Sequence, residues 1–224
     1  MPIPRNLDRL PRLSVRDKVL VQLQQWIIDG TLQPEEKLND VELADALQVS
    51  RTPIREALQI LELQGFVELI PGKATRVTPI DSHDVFKIYP PLALLEALNA
   101  QDATSRIRPD IIEELKHVNR GLRQALDQRN SWQALEWDRQ FHALIAEAAD
   151  NPYVTSFTTL LHMHASRLKY RFFQHLVLPA YTSVDEHTLI IQALEDKNAE
   201  MASAIMKKNW LRPMEELAKS LVTT

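Results

Sequence analysis

The 224-residue sequence contains no cysteine. A disulfide framework is therefore excluded, and so is a metal site built from thiolates. Any metal ion that this chain binds must be held by nitrogen and oxygen ligands, which His, Asp and Glu side chains supply. The absence of cysteine is compatible with a reducing compartment, and we expect a cytoplasmic protein.

Long apolar runs are also missing. No segment reaches the roughly 18 uninterrupted apolar residues that a membrane span requires, and the N-terminal stretch MPIPRNLDRLPRLS has no apolar core of a signal peptide. We therefore expect a soluble chain with no membrane partner.

Neither sign of charge dominates, because 26 basic residues stand against 30 acidic ones and the formal net charge is −4. Affinity for nucleic acid would have to come from a local basic patch. Only four glycines occur in 224 residues, and Ala, Leu, Glu and Gln are frequent, which predicts a mainly α fold. The length suits two domains, residues 1–80 and 81–224.

The first domain begins with an extended arm, residues 1–13, that carries Arg5, Arg9 and Arg12. Apolar residues then recur at helical spacing from Ser14 to Gly30 and predict a first helix.

Two short helices follow. Asn39 is a plausible cap for DVELADAL, and after the break Gln48-Val49, Ser50 is placed to cap a helix that Gly65 ends. So tight a turn between two helices predicts a helix-turn-helix. The segments FVELI and RVTPI flank PGKAT and predict a small β-wing.

The third helix presents Arg51, Thr52 and Arg55 in its first turn and a half, away from its apolar stripe. Such residues can reach base edges and phosphates in the major groove of DNA. Lys73 and Arg76 on the wing would add phosphate or minor-groove contacts.

An alternative interpretation places the same arginines on a solvated face. In that case Arg51 and Arg55 pair with Glu56 and Glu62. The order of turn, cap and wing favours the DNA-reading interpretation.

The stretch LQVSRTPIREALQILELQGFVELIPGKATRV resembles the winged helix-turn-helix of the GntR family of bacterial transcription regulators, from about Ser14 to Val77. Two positions depart from the family pattern: Glu35 replaces a glycine often found in its turn, and Val41 stands where some relatives have arginine. The resemblance implies DNA contacts from Arg51, Thr52, Arg55, Gly72, Lys73, Thr75 and Arg76.

The rest of the chain predicts an all-α helical bundle. Pro90-Pro91 should kink or restart its first helix, because proline lacks a donor and clashes with the preceding turn. Trp132, Trp137, Phe141 and Leu144 have helical spacing and predict bundle core. The candidate helices cover about 83–105, 109–128, 131–149, 152–173, 183–195 and 198–220.

The segment DRQFH places Asp138 and His142 four residues apart, on one face of a helix. From the residues alone, the pair could belong to a metal site, to a catalytic acid/base pair, or to a solvated helix surface.

The helical domain resembles that of the FadR subgroup, an FCD-type bundle that senses ligands and dimerises. Many members bind a divalent metal through an Asp and a His four residues apart and two further histidines. Asp138, His142 and His187 match three of these positions, and Asn209 stands at the fourth.

This resemblance leaves two possibilities. Either Zn²⁺, Ni²⁺ or Mn²⁺ binds Asp138, His142 and His187 with Asn209 beside a water or an effector oxygen, or the polar cluster binds a ligand without metal. Ser183 and Glu186 predict a capping box at the start of the helix that carries His187.

Arg167 and Arg171, one helical turn apart, could clamp an effector carboxylate, or they could lie on a solvated charged face. Leu92 stands where the family often has an arginine, which suggests a less acidic effector or another binding mode. His162, His164 and His175 are interpreted as ordinary polar positions.

Together these features predict a homodimeric transcription regulator on a palindromic operator. A small-molecule effector, expected to be an organic acid bound near the metal, would control operator affinity, and repression is the family's commoner mode. The alternatives are a metal-dependent enzyme that activates water at Asp138, His142 and His187, and a DNA-binding protein without effector. No general base with convincing spacing supports an enzyme.

Overall fold

The computed structural model describes residues 14–70, 75–172 and 181–222, without the side chains of 131–132, 172 and 217–222. The chain forms two compact units that divide between Ile80 and Asp81. In the described residues, no helix is long and apolar enough to cross a membrane.

The described part of the first unit contains α1 (Val15–Ile28), β1 (Lys37–Leu38), α2 (Asp40–Leu47), α3 (Arg51–Leu63), β2 (Val67–Glu68) and β3 (Thr75–Val77). The strands form an antiparallel sheet in the order β1-β3-β2. The predicted helices and both wing strands are confirmed. Strand β1 was not predicted, because two residues are too few for an alternating pattern; it pairs Lys37 with Arg76.

The turn between α2 and α3 follows from local hydrogen bonds. The Asn39 side chain accepts a bond from the Val41 amide and caps α2, as predicted. Gln48 ends α2 in the left-handed region with φ 54°, and the Val49 amide donates to the Ala44 carbonyl at 3.0 Å. Ser50 has the extended backbone of a cap, but its side chain makes no capping bond.

The core of the first unit lies between α1 and α3. Leu23 of α1, Ile54 and Leu61 of α3, and the following Phe66 are fully buried. Because these residues fix one face of α3 against α1, the opposite face is left to solvent.

In the described part of the second unit, a 3-10 turn (Ser82–Asp84) is followed by α4 (Val85–Arg106), α5 (Pro109–Asp127), α6 (Ser131–Ala149), α7 (Pro152–Phe172), α8 (Tyr181–Glu195) and α9 (Ala199–Val222). Every described element after Ile80 is helical, so the predicted bundle is confirmed. Helix α4 packs against α6, α7, α8 and α9, and α5 packs against α6 and α8.

Helix α4 runs without a break through Pro90 and Pro91, so of the predicted kink or restart, the restart is wrong. A proline inside a helix costs about 3 kcal/mol. The flanking Tyr89 and Leu92 are fully buried, and their burial in the bundle offsets part of that cost.

The predicted capping box on α8 is also wrong. The helix already begins at Tyr181, so Ser183 and Glu186 lie inside it. Both side chains instead bond across to α9: Arg212 donates to the Ser183 hydroxyl at 2.8 Å and to the Glu186 carboxylate at 3.2 Å.

The aromatic residues of α6 bear out the core prediction in part. Phe141 is fully buried, and Leu144 is half-buried. The Trp132 side chain lies outside the described residues. Trp137 packs against a buried cluster formed by Leu122, Ala125, Ala134 and Val184.

Candidate metal centre and nucleic-acid interface

The bundle brings Asp138 and His142 of α6 close to His187 of α8. One ligand atom from each of the three residues lies within 4.8 Å of the other two, and His187 Nε2 is 3.7 Å from Asp138 Oδ1. Asp138 and His142 lie on the same face of α6 because the α-helix repeats every 3.6 residues. The third residue joins them through the packing of the bundle around α4.

The two imidazoles are enclosed. His142 is 3% exposed and His187 fully buried, and Phe141 stacks flat on His187 with ring centroids 3.7 Å apart. Burial lowers the pKa of His142, and burial holds the pKa of His187 well below its usual range. Both rings are therefore neutral at pH 7, which is the form that binds metal.

Several imidazole nitrogens have no hydrogen-bond partner among the described residues: His142 Nδ1 and both nitrogens of His187. A buried polar atom without a partner costs free energy. A metal ion would satisfy such nitrogens, and the set of two imidazoles and one carboxylate suits a divalent transition metal. The residues present therefore fit the group that the family resemblance implies.

Asn209, at the position of the expected fourth ligand, hydrogen-bonds to a carboxylate of α8. It is 5% exposed on α9, and its Nδ2 donates to Glu186 Oε2 at 3.0 Å. Glu186 is itself buried and also bonded by Arg212. The amide of Asn209 thus helps to fasten α9 to α8, directly beside His187.

His162 is a residue of this region that the sequence did not reveal, and its interpretation as an ordinary polar position is corrected. Its Nε2 lies 2.5 Å from Oε1 of Glu96, which is 1% exposed on α4. Burial acts to raise the pKa of Glu96, but the hydrogen bond with His162 opposes it, and the net effect lowers that pKa. Glu96 and His162 are 66 residues apart, so no local spacing could have linked them.

Aromatic rings connect this pair to the candidate metal ligands. The Trp210 ring lies 4.9 Å from the ring centroids of both His142 and His162, and Tyr89 approaches Trp210 edge-on at 6.1 Å. Within the described part of the chain, Tyr89 Oη and Trp210 Nε1 are buried without hydrogen-bond partners. Lys169 Nζ stands 5.6 Å from the Trp210 ring centroid, which brings a positive charge to the cluster.

The remaining predicted effector residues differ from each other. Arg167 is 3% exposed on α7, and burial lowers its pKa to about 10 against the opposing effect of the Asp84 charge. Arg171, one turn further, is exposed.

Three other positions were considered in the sequence. Leu92 is fully buried, His164 is half-buried, and His175 lies outside the described residues.

The predicted DNA-reading residues of the first unit lie at the exposed start of α3. The side chains of Arg51 and Arg55 are 51% and 61% exposed, and Thr52 is exposed beside them. The alternative pairing with Glu56 and Glu62 is wrong, because both arginines bond to Asp40 of α2.

The wing residues are described in part. Arg76 is exposed and Thr75 half-buried on β3. Gly72 and Lys73 lie outside the described residues.

Comparisons with known proteins agree with this architecture. The sequence pattern of the bacterial regulatory proteins of the gntR family matches residues 15–77, and that of the FCD domain matches residues 87–210. The Exu regulon transcriptional regulator of Escherichia coli K12 is 28% identical over 220 residues, covering 91% of this chain and 81% of that protein. The HTH-type transcriptional repressor RspR of Escherichia coli K12 is 23% identical over 211 residues, 94% of this chain and 90% of that protein.

Among solved structures, Escherichia coli McbR/YncC has a similar fold. The TM-score is 0.78 at 21% sequence identity, and the match covers 94% of this chain and all of that one.

The named relatives are transcription regulators, so this chain is a DNA-binding regulator with a ligand-sensing domain and not an enzyme. Its two matched domains together identify it as a member of the GntR family of bacterial regulators, in the FadR subgroup that carries an FCD domain.

Proposed function

We propose that this regulator acts as a homodimeric repressor on a palindromic operator, and that a small organic acid bound beside a divalent metal in the second unit controls its operator affinity. Two winged helices related by a two-fold axis match the two half-sites of a palindrome. The observation that carries the proposal is the convergence of Asp138, His142 and His187 with buried nitrogens that lack partners among the described residues.

On the DNA side, the exposed Arg51, Thr52 and Arg55 would face base edges and phosphates. Arg76 on β3, with Gly72, Lys73 and Thr75 of the wing, would contact the backbone or the minor groove. Substitution of Arg51 or Arg55 with alanine should therefore abolish sequence-specific binding, and retained specific binding would contradict this assignment.

On the effector side, Zn²⁺, Ni²⁺ or Mn²⁺ would be held by Asp138, His142 and His187, and would offer positive charge to a bound acid. Three protein ligands leave a coordination position open. We place the effector beside this position. There Tyr89 Oη and Trp210 Nε1, which have no hydrogen-bond partner among the described residues, and the nearby Lys169 could receive an oxyanion. Asn209, Arg167 and Arg171 remain further candidates for effector contacts.

The experiment has three parts on the purified full chain. Elemental analysis measures the bound metal, selection from random duplexes identifies the preferred DNA, and a thermal-shift screen of small organic acids is run with and without chelator. We expect bound metal, a selected palindrome, and an acid whose stabilising effect is lost on chelation. A selected DNA without any acid response would instead support a DNA-binding protein that has no effector.

A further inference from the structure

Asp40, the first residue of α2, bonds to both arginines at the start of α3. Its carboxylate accepts hydrogen bonds from Arg51 Nη2 at 2.9 and 3.1 Å and from Arg55 Nε at 2.6 Å. The Asp40 side chain is 23% exposed and therefore more enclosed than either arginine. One acidic residue of the first helix of the helix-turn-helix thus holds two cations of the second helix.

The hydrogen bonds to Asp40 leave enough N–H groups on Arg51 and Arg55 for contacts with DNA bases. In the described residues, Arg55 reaches Asp40 through Nε alone and Arg51 through Nη2 alone. A bidentate contact with a guanine uses two N–H groups, and each guanidinium retains more than that number.

The negative charge of Asp40 is unfavourable for binding DNA. A carboxylate beside the DNA backbone repels phosphate, and this repulsion weakens binding to every sequence equally. Hydrogen bonds from Arg55 and Arg51 lower the pKa of Asp40, so the group is ionised at neutral pH. A gain that offsets this repulsion would come from the geometry that Asp40 gives the two arginines.

That benefit is conformational. An arginine side chain loses rotamer freedom when it is fixed against a base, and this loss weakens binding. An arginine already held by an ion pair loses less. The smaller entropy loss favours only DNA sequences whose bases meet the held guanidinium groups. It therefore increases the discrimination between DNA sequences and does not increase the affinity for DNA of any sequence.

We propose that Asp40 is a positioning residue for base readout, which holds Arg51 and Arg55 in the conformations that contact the operator. This inference rests on the proposed DNA contacts of the two arginines.

The test compares matched variants of the full chain. Duplexes selected by the wild-type protein and scrambled duplexes of equal length are titrated at several salt concentrations, with fluorescence anisotropy as the readout. The variants are Asp40→Asn, the conservative Asp40→Glu, and Asp45→Asn. Asp45 is an exposed acid on the same helix, turned about 140° from Asp40 by the helical repeat, so its substitution removes the same charge elsewhere.

We expect Asp40→Asn to weaken binding to the selected duplex about tenfold, since two side chains that Asp40 had ordered must then be ordered by the DNA itself. Binding to the scrambled duplex should stay unchanged or tighten, because a negative charge is lost. Asp40→Glu should keep most of the discrimination, and Asp45→Asn should change both affinities alike. Circular dichroism checks that each variant folds.

An unchanged ratio of the two affinities in Asp40→Asn would reduce Asp40 to a surface ion pair and overturn the proposal. Tighter binding to the selected duplex would also overturn it, because Asp40 would then compete with DNA. If Arg51→Ala and Arg55→Ala keep specific binding, or if the wild-type chain selects no sequence, the proposed DNA contacts fail as well.

Discussion

Glu96 and His162 form a hydrogen-bonded contact across the helical bundle, with 2.5 Å between Oε1 and Nε2. The carboxylate is 1% exposed, and the imidazole is 32% exposed. The pair joins α4 to α7 next to the aromatic rings that surround the candidate metal ligands.

The Glu96–His162 contact should show a measurable coupling energy. In a double-mutant cycle with Glu96→Gln and His162→Gln, we expect a coupling of about 1–2 kcal/mol, near the lower end for hydrogen bonds to charged groups because His162 is partly exposed. The measurement is urea denaturation of the four proteins. A coupling near zero would mean that the two side chains do not interact in solution.

The network of Glu186 with α9 predicts a large effect for one residue and a small one for its neighbour. Replacement of Arg212 with methionine leaves the buried Glu186 carboxylate without its main cation, which should lower the free energy of unfolding by about 3 kcal/mol. Glu216, which also pairs with Arg212, has a side chain that is 57% exposed, so Glu216→Gln should change the free energy by less than about 1 kcal/mol. Similar losses in both variants would show that burial of Glu186 does not set the energy.

Gly121 of α5 lies against the indole of Trp137. A Cβ atom on Gly121 would stand 2.6 Å from Trp137 Cε2. Although alanine is the better helix former, Gly121→Ala should destabilise the bundle by about 1–3 kcal/mol because it overpacks the core.

Two companion variants check this reason. Gln124→Ala, at an exposed position of the same helix, should have little effect on the melting temperature. In the background Trp137→Phe, which removes part of the indole, Gly121→Ala should cost less. Equal costs in both backgrounds would contradict a clash with the indole.

The candidate metal ligands predict a stability that depends on metal. Because an ion that binds only the folded chain stabilises it, saturating Zn²⁺ at about 100 times its dissociation constant should add about 2.7 kcal/mol. A chelator should therefore lower the melting temperature of the wild-type protein and leave that of His187→Ala unchanged. His83→Ala, which removes an exposed imidazole at the 3-10 turn, should respond like the wild type. A chelator effect that persists in His187→Ala would show that the metal binds elsewhere.

The sequence predicted those parts of the fold that depend on local patterns. Helices α2 and α3 were found from helical periodicity and from the capping residue Asn39, and strands β2 and β3 from the residues that flank the wing. Strand β1 was not predicted, because it forms only by pairing with β3, about 40 residues further along the chain. The continuation of α4 through Pro90 and Pro91 was not predicted, because the burial of Tyr89 and Leu92 is a tertiary effect.

The candidate site shows the same division. Asp138 and His142 could be found as neighbours on one helix face, whereas the place of His187 came from family resemblance. Glu96, His162, Trp210 and Lys169 approach the site from three helices, and their contacts exist only after the bundle has packed. The role of Ser183 was misjudged because a serine followed by a glutamate three residues later has the same pattern at a helix start and inside a helix.

The most direct test of the account measures operator affinity and effector response together. Anisotropy titrations of the selected operator are run with and without each small organic acid, for the wild-type chain, His142→Ala and His187→Ala. We predict that at least one acid shifts the wild-type dissociation constant about 5-fold or more, the usual lower range of allosteric coupling, and that both variants bind the operator but lose this shift. An equal shift in the variants, or no shift by any acid, would contradict control of DNA binding from the site of Asp138, His142 and His187.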